Sequence, residues 1–178
     1  KIIETDPKVV NGFGGFYGYS KLAAENIFSH LSAEGLKCII LRPSSIYGYG
    51  LPPEKLVQNY IDMASSNREI QITGRKNRIN LIHAYDVANA ALSAYKNEAW
   101  GVFNISSREG NTILEIAESA VSISDGGSIV VQDDNKNDTH FIRFDLSSEL
   151  AKRSFGFETE INLKEGMLLM KNKMFIPC

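Results

Sequence analysis

The sequence predicts an α/β fold built on a doubly wound parallel sheet, and three observations carry that expectation. Between Tyr17 and about Glu34 the apolar residues Leu22, Ala23, Ile27, Phe28 and Leu31 recur at helical spacing, and Gly35 stands where a helix takes its C-terminal cap. The next segment, Lys37 to Arg42, reads as a short buried strand stopped by Pro43. The same alternation recurs further on, where a helix opening at Asp86 leads to the buried strand Val102 to Ile105. Apolar strands alternating with helices belong to parallel sheets covered on both faces.

The remaining elements follow in order. The loop Ser44-Ser45-Ile46-Tyr47-Gly48-Tyr49-Gly50 leaves the carboxyl end of the first strand, where ligands bind in open α/β sheets. Pro52 and Pro53 suit the entry to a second helix from Lys55 to about Ser65, after which Glu69 to Thr73 and Asn80 to His83 read as short strands around a basic turn. In the helix opening at Asp86 the carboxylate suits the positive helix start, and Val87, Ala91, Leu92 and Tyr95 are expected on the buried side. Thr112 and Glu115 form a capping box for a helix through Ser122, and Asp125-Gly126-Gly127 is a turn before the β-rich Ile129-Val130-Val131. Two short helices follow, Ser148 to Ser154 and Leu163 to about Lys171, the second with Asn162 and Glu165 as a capping pair.

Nineteen basic against twenty-one acidic residues leave a net charge of -2, so binding to nucleic acid or an anionic membrane has no electrostatic support. No apolar run approaches membrane-spanning length, and Lys1-Ile2-Ile3-Glu4 lacks the charged and apolar regions of a signal peptide, so a cytoplasmic protein is expected. Cys38 sits in an apolar run and Cys178 is the last residue, which reads as a buried thiol and a tail thiol and not as a disulfide or metal clip. His30, His83 and His140 are too scattered for a ligand set.

Chemistry concentrates in Tyr17-Gly18-Tyr19-Ser20-Lys21. Positions i and i+4 stand one above the other on a helix, so the Lys21 ammonium can favour the Tyr17 phenolate and let it exchange a proton near neutral pH. Tyr19, two positions from Lys21, lies on roughly the opposite side. Spacing alone is weak evidence, and context has to decide.

That context is a series of segments in a fixed order. Tyr17-Gly18-Tyr19-Ser20-Lys21-Leu22-Ala23-Ala24-Glu25, Leu41-Arg42-Pro43-Ser44-Ser45-Ile46-Tyr47-Gly48-Tyr49-Gly50, Ile82-His83-Ala84-Tyr85-Asp86-Val87-Ala88, Phe103-Asn104-Ile105-Ser106, and the tail Ser147 to Phe157 with Leu163-Lys164-Glu165-Gly166 succeed one another. In this order the chain resembles the C-terminal half of the extended short-chain dehydrogenase/reductase family, the NAD-dependent nucleotide-sugar epimerases and dehydratases. The resemblance implies the C-terminal part of a Rossmann-like doubly wound sheet plus a small mixed α/β substrate-binding domain. Residues 1–50 and 80–106 would be the remainder of the NAD-binding domain, and 51–79 with 107–178 the nucleotide-sugar-binding domain.

By that resemblance Tyr17 is the general acid/base for a sugar hydroxyl while hydride moves between sugar carbon and nicotinamide, and Lys21 supports it and hydrogen-bonds the nicotinamide ribose. Ser44 would lie beside the nicotinamide. Ser45 stands where many relatives have an asparagine facing the sugar diphosphate, a departure that shortens the reach of the side chain. Lys55 and Leu56 match the loop bordering the nucleotide. Arg78 and Arg143 are the phosphate-gripping candidates, chosen for the two-pronged pairing a guanidinium offers, although the family's register before Ile82-His83 falls on Ile79. His83 reads as a packing residue with a helix-start hydrogen bond, and Asp86 as a helix-start residue. Gly12-x-Gly14 is not a dinucleotide fingerprint, since no strand precedes it and the third glycine would have to be Tyr17.

A complete member would begin with a strand, a Gly-rich turn and a helix start for the cofactor pyrophosphate, and no such run occurs in these 178 residues. The chain is therefore expected to be part of a longer NAD-dependent epimerase, inactive by itself, whose parent acts on a nucleotide-sugar and forms a homodimer. A sugar-nucleotide 4,6-dehydratase, an NADP-dependent reductase and a non-catalytic dinucleotide-binding sensor or scaffold stay open beside it.

Overall fold

The structure, a computed structural model, describes residues 1–8, 15–132 and 145–175. Helix α1 spans Gly15–Ala33 and leads to β1, Ile39–Pro43; its end is set by Gly35, whose φ of 102° lies in the left-handed region that glycine enters freely. The order continues β2 Ser45–Tyr47, α2 Leu56–Ser65, β3 Glu69–Ile72, β4 Arg78–Ile79, β5 Leu81–His83 and α3 Ala84–Lys96. Then come β6 Gly101–Ile105, β7 Asn111–Thr112, α4 Ile113–Ser124, β8 Ser128–Val131, α5 Glu149–Phe155 and α6 Leu163–Lys171.

Strand pairing is mainly parallel, as the alternation predicts. β1 pairs with β6, β2 with β5 and β3 with β8, all parallel, while the short β4 and β7 run antiparallel. The chain changes partner between β1 and β2. The Ser44 N–H donates to the Ile105 carbonyl at the end of β6, and the Ser45 N–H donates to the Asn80 carbonyl just before β5. Ser44 thus marks the point where one pairing stops and the next begins, at a carboxyl end of the sheet.

Two apolar clusters hold these elements. One gathers Val57, Tyr60 and Ile61 of α2, Ile70 and Ile72 of β3, Ile116 and Ala120 of α4, and Met167 and Met170 of α6. The other joins Ile82, Ala90, Ala94, Phe103, Ile105, Ala151, Phe155 and Phe157, so α5 and the turn after it pack on β6 and α3. Local signals act as expected: the Thr112 hydroxyl accepts from the Glu115 N–H and the Glu115 carboxylate from the Thr112 N–H, and the Asn162 side chain accepts from the Glu165 N–H. No helix among the described residues is long and apolar enough to cross a membrane.

Four expectations need correction. The buried side of α3 is Asp86, Ala90 and Ala94, while Ala91, Leu92 and Tyr95 are exposed, Tyr95 by 68%. Small residues let this helix sit close to its neighbours, and apolarity alone picked the wrong face. Helix α1 buries none of its apolar residues, Ile27, Phe28 and Leu31 among them. β1 is only half-buried, because among the described residues it is hydrogen-bonded along one edge and a cleft separates it from α1. The loop from Ser44 to Gly50 contains the strand β2, whose partner lies far along the chain at Leu81–His83.

Candidate active site

Tyr17 and Lys21 share one face of α1, with the Lys21 Nζ 5.3 Å from the centroid of the Tyr17 ring, within cation–π reach. Both line a cleft of about 630 Å³ between α1 and β1, together with Glu25, Phe28, Cys38 and the residues of β1. Tyr17 is 70% exposed there.

What holds α1 against the strand is charge. The Glu25 carboxylate, one further turn along the face that carries Tyr17 and Lys21, accepts from Arg42 Nη2 at 2.6 Å and from Arg42 Nε at 3.0 Å, and it also pairs with the Lys8 ammonium. Arg42 Nη1 donates to the Glu4 carbonyl at 3.0 Å. The Arg42 hydrogen bonds and the nearby Lys8 charge hold the Glu25 carboxyl well below the usual carboxylate range, at about 2, against the opposing effect of burial. Both residues stand in motifs of the sequence, but their pairing joins a helix to a strand and no local spacing reveals it.

Ser44 follows directly on the residues that line this cleft. Its hydroxyl is buried without a hydrogen-bond partner among the described residues, although its N–H is satisfied. Ser45 is exposed at the start of β2. Lys55 is the exposed N-cap of α2 and makes no side-chain cap hydrogen bond, and Leu56 beside it packs on the larger apolar cluster. Arg78, on β4, donates from Nη2 at 2.9 Å and from Nε at 3.3 Å to the Gly110 carbonyl, so its fork already ties β4 to the approach to β7. None of the Ser44, Ser45, Lys55, Leu56 or Arg78 side chains lines the cleft that holds Tyr17 and Lys21. Arg143 lies outside the described residues.

His83 caps α3: its Nδ1 accepts from the Tyr85 N–H at 3.2 Å and its ring meets the Tyr47 ring edge-on at 5.2 Å. Burial pushes the imidazole below its ordinary range and keeps it neutral, against the pull of Asp86 and Glu165. Asp86 does more than open the helix. Buried at 1% exposure, its carboxylate accepts from the Glu160 N–H at 2.9 Å and the Ile161 N–H at 3.4 Å, fastening the approach to α6 onto α3.

Comparison with known proteins follows the same outline. The family model of the NAD dependent epimerase/dehydratase family matches residues 11–106, more than half of the chain. A dTDP-D-glucose 4,6-dehydratase of Bos taurus is 27% identical over 161 residues, 85% of this chain and 45% of that protein. A Thermotoga maritima UDP-glucose 4-epimerase solved with UDP-glucose superposes with a TM-score of 0.75 at 25% identity, covering 97% of this chain and 56% of that one. A Pseudomonas aeruginosa structure complexed with NADPH gives 0.77 at 20% identity over 96% and 58%. The chain thus has the Rossmann-like fold of these structures and spans about half the length of the proteins it matches.

Proposed function

The chain belongs to the NAD-dependent epimerase/dehydratase family, and on that premise we propose that it is the C-terminal portion of an NAD-dependent nucleotide-sugar epimerase in which Tyr17 is the general acid/base. The observation that carries this reading is the shared face of Tyr17 and Lys21, a phenol and an ammonium at 5.3 Å opening into one cleft beside β1.

The residues present suit the dinucleotide. Tyr17 and Lys21 offer donors for a ribose and nicotinamide, and Ser44 offers a buried hydroxyl without a partner among the described residues at the carboxyl end of β1. NAD, when bound, supplies the acceptor and later the donor of hydride. The Tyr17 phenolate takes the proton of a sugar hydroxyl as the carbon bearing it is oxidised to a ketone, and gives the proton back when that carbon is reduced from the other face. Lys21, with its ammonium over the Tyr17 ring, is the proposed support for this proton transfer. Ser45, Lys55, Leu56, Arg78 and Arg143 are the proposed contacts to the nucleotide-sugar, with Arg78 already anchored on Gly110. The exposed Ile27 and Leu31 of α1, which do not line the cleft beside β1, support a parent that forms a homodimer.

Replacing Tyr17→Phe in the full-length protein tests the reading. Turnover should fall about 10²–10⁴-fold with nucleotide binding kept; unaltered turnover would overturn it in favour of a dinucleotide-binding sensor. Assaying the 178-residue chain by itself should give no NAD-dependent turnover.

A second reading has its own support. The bovine relative is named a 4,6-dehydratase, and a dehydratase begins with the same Tyr-assisted oxidation. Product analysis separates the two: a sugar inverted at one carbon belongs to the epimerase, and a 4-keto-6-deoxy sugar to the dehydratase.

A further inference from the structure

We propose that Arg42 is a positioning residue of the acid/base pair: by occupying both oxygens of Glu25 it leaves Lys21 to Tyr17. The inference rests on the assignment of Tyr17 and Lys21 above and adds the residue that keeps them together.

Tyr17, Lys21 and Glu25 follow one another at intervals of four along α1 and line the same cleft. Lysine therefore has two neighbours one turn away, the phenol behind it and a carboxylate ahead of it. A lysine and a glutamate four apart on a helix are within pairing reach, but the interaction is weak and weaker still in this lysine-first order, so a stronger partner for the glutamate decides the outcome. Here Arg42 takes the glutamate, with Nη2 at 2.6 Å and Nε at 3.0 Å on its two oxygens, and the Lys8 ammonium joins the first of these. The remaining prong of Arg42, Nη1, is fixed on the Glu4 carbonyl. Among the described residues Lys21 has no ion pair, and its ammonium stands over the Tyr17 ring.

The other charged and titratable groups around this face are accounted for. From the N-terminal segment, the Asp6 carboxylate accepts from the Ile3 N–H at 2.8 Å and the Glu4 carboxylate from the Asn104 N–H at 2.9 Å. From β1 comes Arg42 itself, and from the residue just before that strand the Cys38 thiol. Glu25 stays ionised at any working pH, since its proton is lost at about 2. Without Arg42 one of the two cations on Glu25 is lost, and Lys8 alone is left to compete with Lys21, one helical turn away, for its carboxylate.

Arg42→Gln in the full-length protein should release Glu25 toward Lys21. We expect kcat to fall about tenfold or more with KM for the nucleotide-sugar little changed, and the acid limb of the kcat profile to move up by about one pH unit. Spectroscopic titration of the tyrosinate, taken as the difference from Tyr17→Phe, should move the same way without any turnover being measured. Adding Glu25→Gln should bring the limb back, because the competing carboxylate is gone, and Glu25→Gln by itself should not move it upward. An unmoved limb in Arg42→Gln, or an upward shift in Glu25→Gln equal to that of Arg42→Gln, would overturn the proposal and leave an anchoring role alone. If Arg42→Gln does not fold, Arg42→Lys, which keeps the charge but loses the fork, carries the same test with a smaller shift. Tyr17→Phe separates the two levels: full turnover there sinks the assignment of the site, whereas a dead Tyr17→Phe with an unmoved Arg42→Gln limb sinks only the role of Arg42.

Discussion

Gly166 of α6 packs directly on the ring of Tyr47 in β2, so closely that a Cβ at position 166 would stand 2.3 Å from the Tyr47 hydroxyl and 2.7 Å from its ring edge. The ring cannot yield, being 1% exposed and fixed by donation from its hydroxyl to the Asn162 carbonyl at 3.2 Å. Gly166→Ala is therefore expected to cost about 1–3 kcal/mol through overpacking, read as a lower urea midpoint. Tyr47→Phe should not rescue it, because two ring carbons remain within 2.8 Å. A Gly166→Ala protein of unchanged midpoint would show that α6 can slide away from β2.

Asp86 ties the approach to α6 to α3 from the other side. Asp86→Ala removes the acceptor for the Glu160 and Ile161 N–H groups and should destabilise by about 1–2 kcal/mol. Burial raises the Asp86 carboxyl above its ordinary 3.8, more than the two N–H donors lower it. An acid raised on folding contributes stability while protonated and loses it as pH climbs from the unfolded value through the folded one. Wild type should accordingly lose ground to Asp86→Asn as pH rises from 3.8, checked by denaturation at a series of pH values.

The sign is opposite for Glu25. Its carboxyl is lowered from 4.5 to about 2, so the stability it contributes is complete above 4.5 and is lost as pH falls from there through 2. Glu25→Gln should cost on the order of 1 kcal/mol near neutral pH, after allowance for solvent screening of the partly exposed Lys8 and Arg42, and progressively less as pH falls from 4.5 to 2. Since α1 buries no residue, hydrogen exchange of its amides is the measurement most sensitive to the loss. Protection of α1 that is the same in both proteins at neutral pH would show that the ion pairs do not hold the helix.

These predictions also mark where the sequence was legible. The Thr112–Glu115 box and the Asn162 cap of α6 join residues three apart, so local spacing reveals them. The pairing of Tyr17 with Lys21 is local in the same sense. Legibility ends where partners are distant: β2 needs β5, Glu25 needs Arg42 on another element, and Asp86 needs a main chain more than seventy residues on. The face of α3 is hidden from the sequence for a related reason. Leu92 and Tyr95 are the more apolar residues, but close packing against neighbouring elements selects Ala90 and Ala94.

Ser44 brings local structure and proposed function into opposition. A buried hydroxyl without a hydrogen-bond partner costs the protein free energy, and Ser44 carries one, with no partner among the described residues, where β1 hands over to β2. Ser44→Ala removes that cost and leaves the satisfied N–H in place, so the unliganded protein should become more stable by about 1 kcal/mol, seen as a raised urea midpoint. If the hydroxyl serves the nicotinamide or the sugar, the same substitution should weaken dinucleotide binding or lower kcat about tenfold, the worth of one hydrogen bond made only with ligand. Gain in stability with loss of function assigns the hydroxyl to the ligand. A gain in stability with binding and kcat untouched would remove Ser44 from the site.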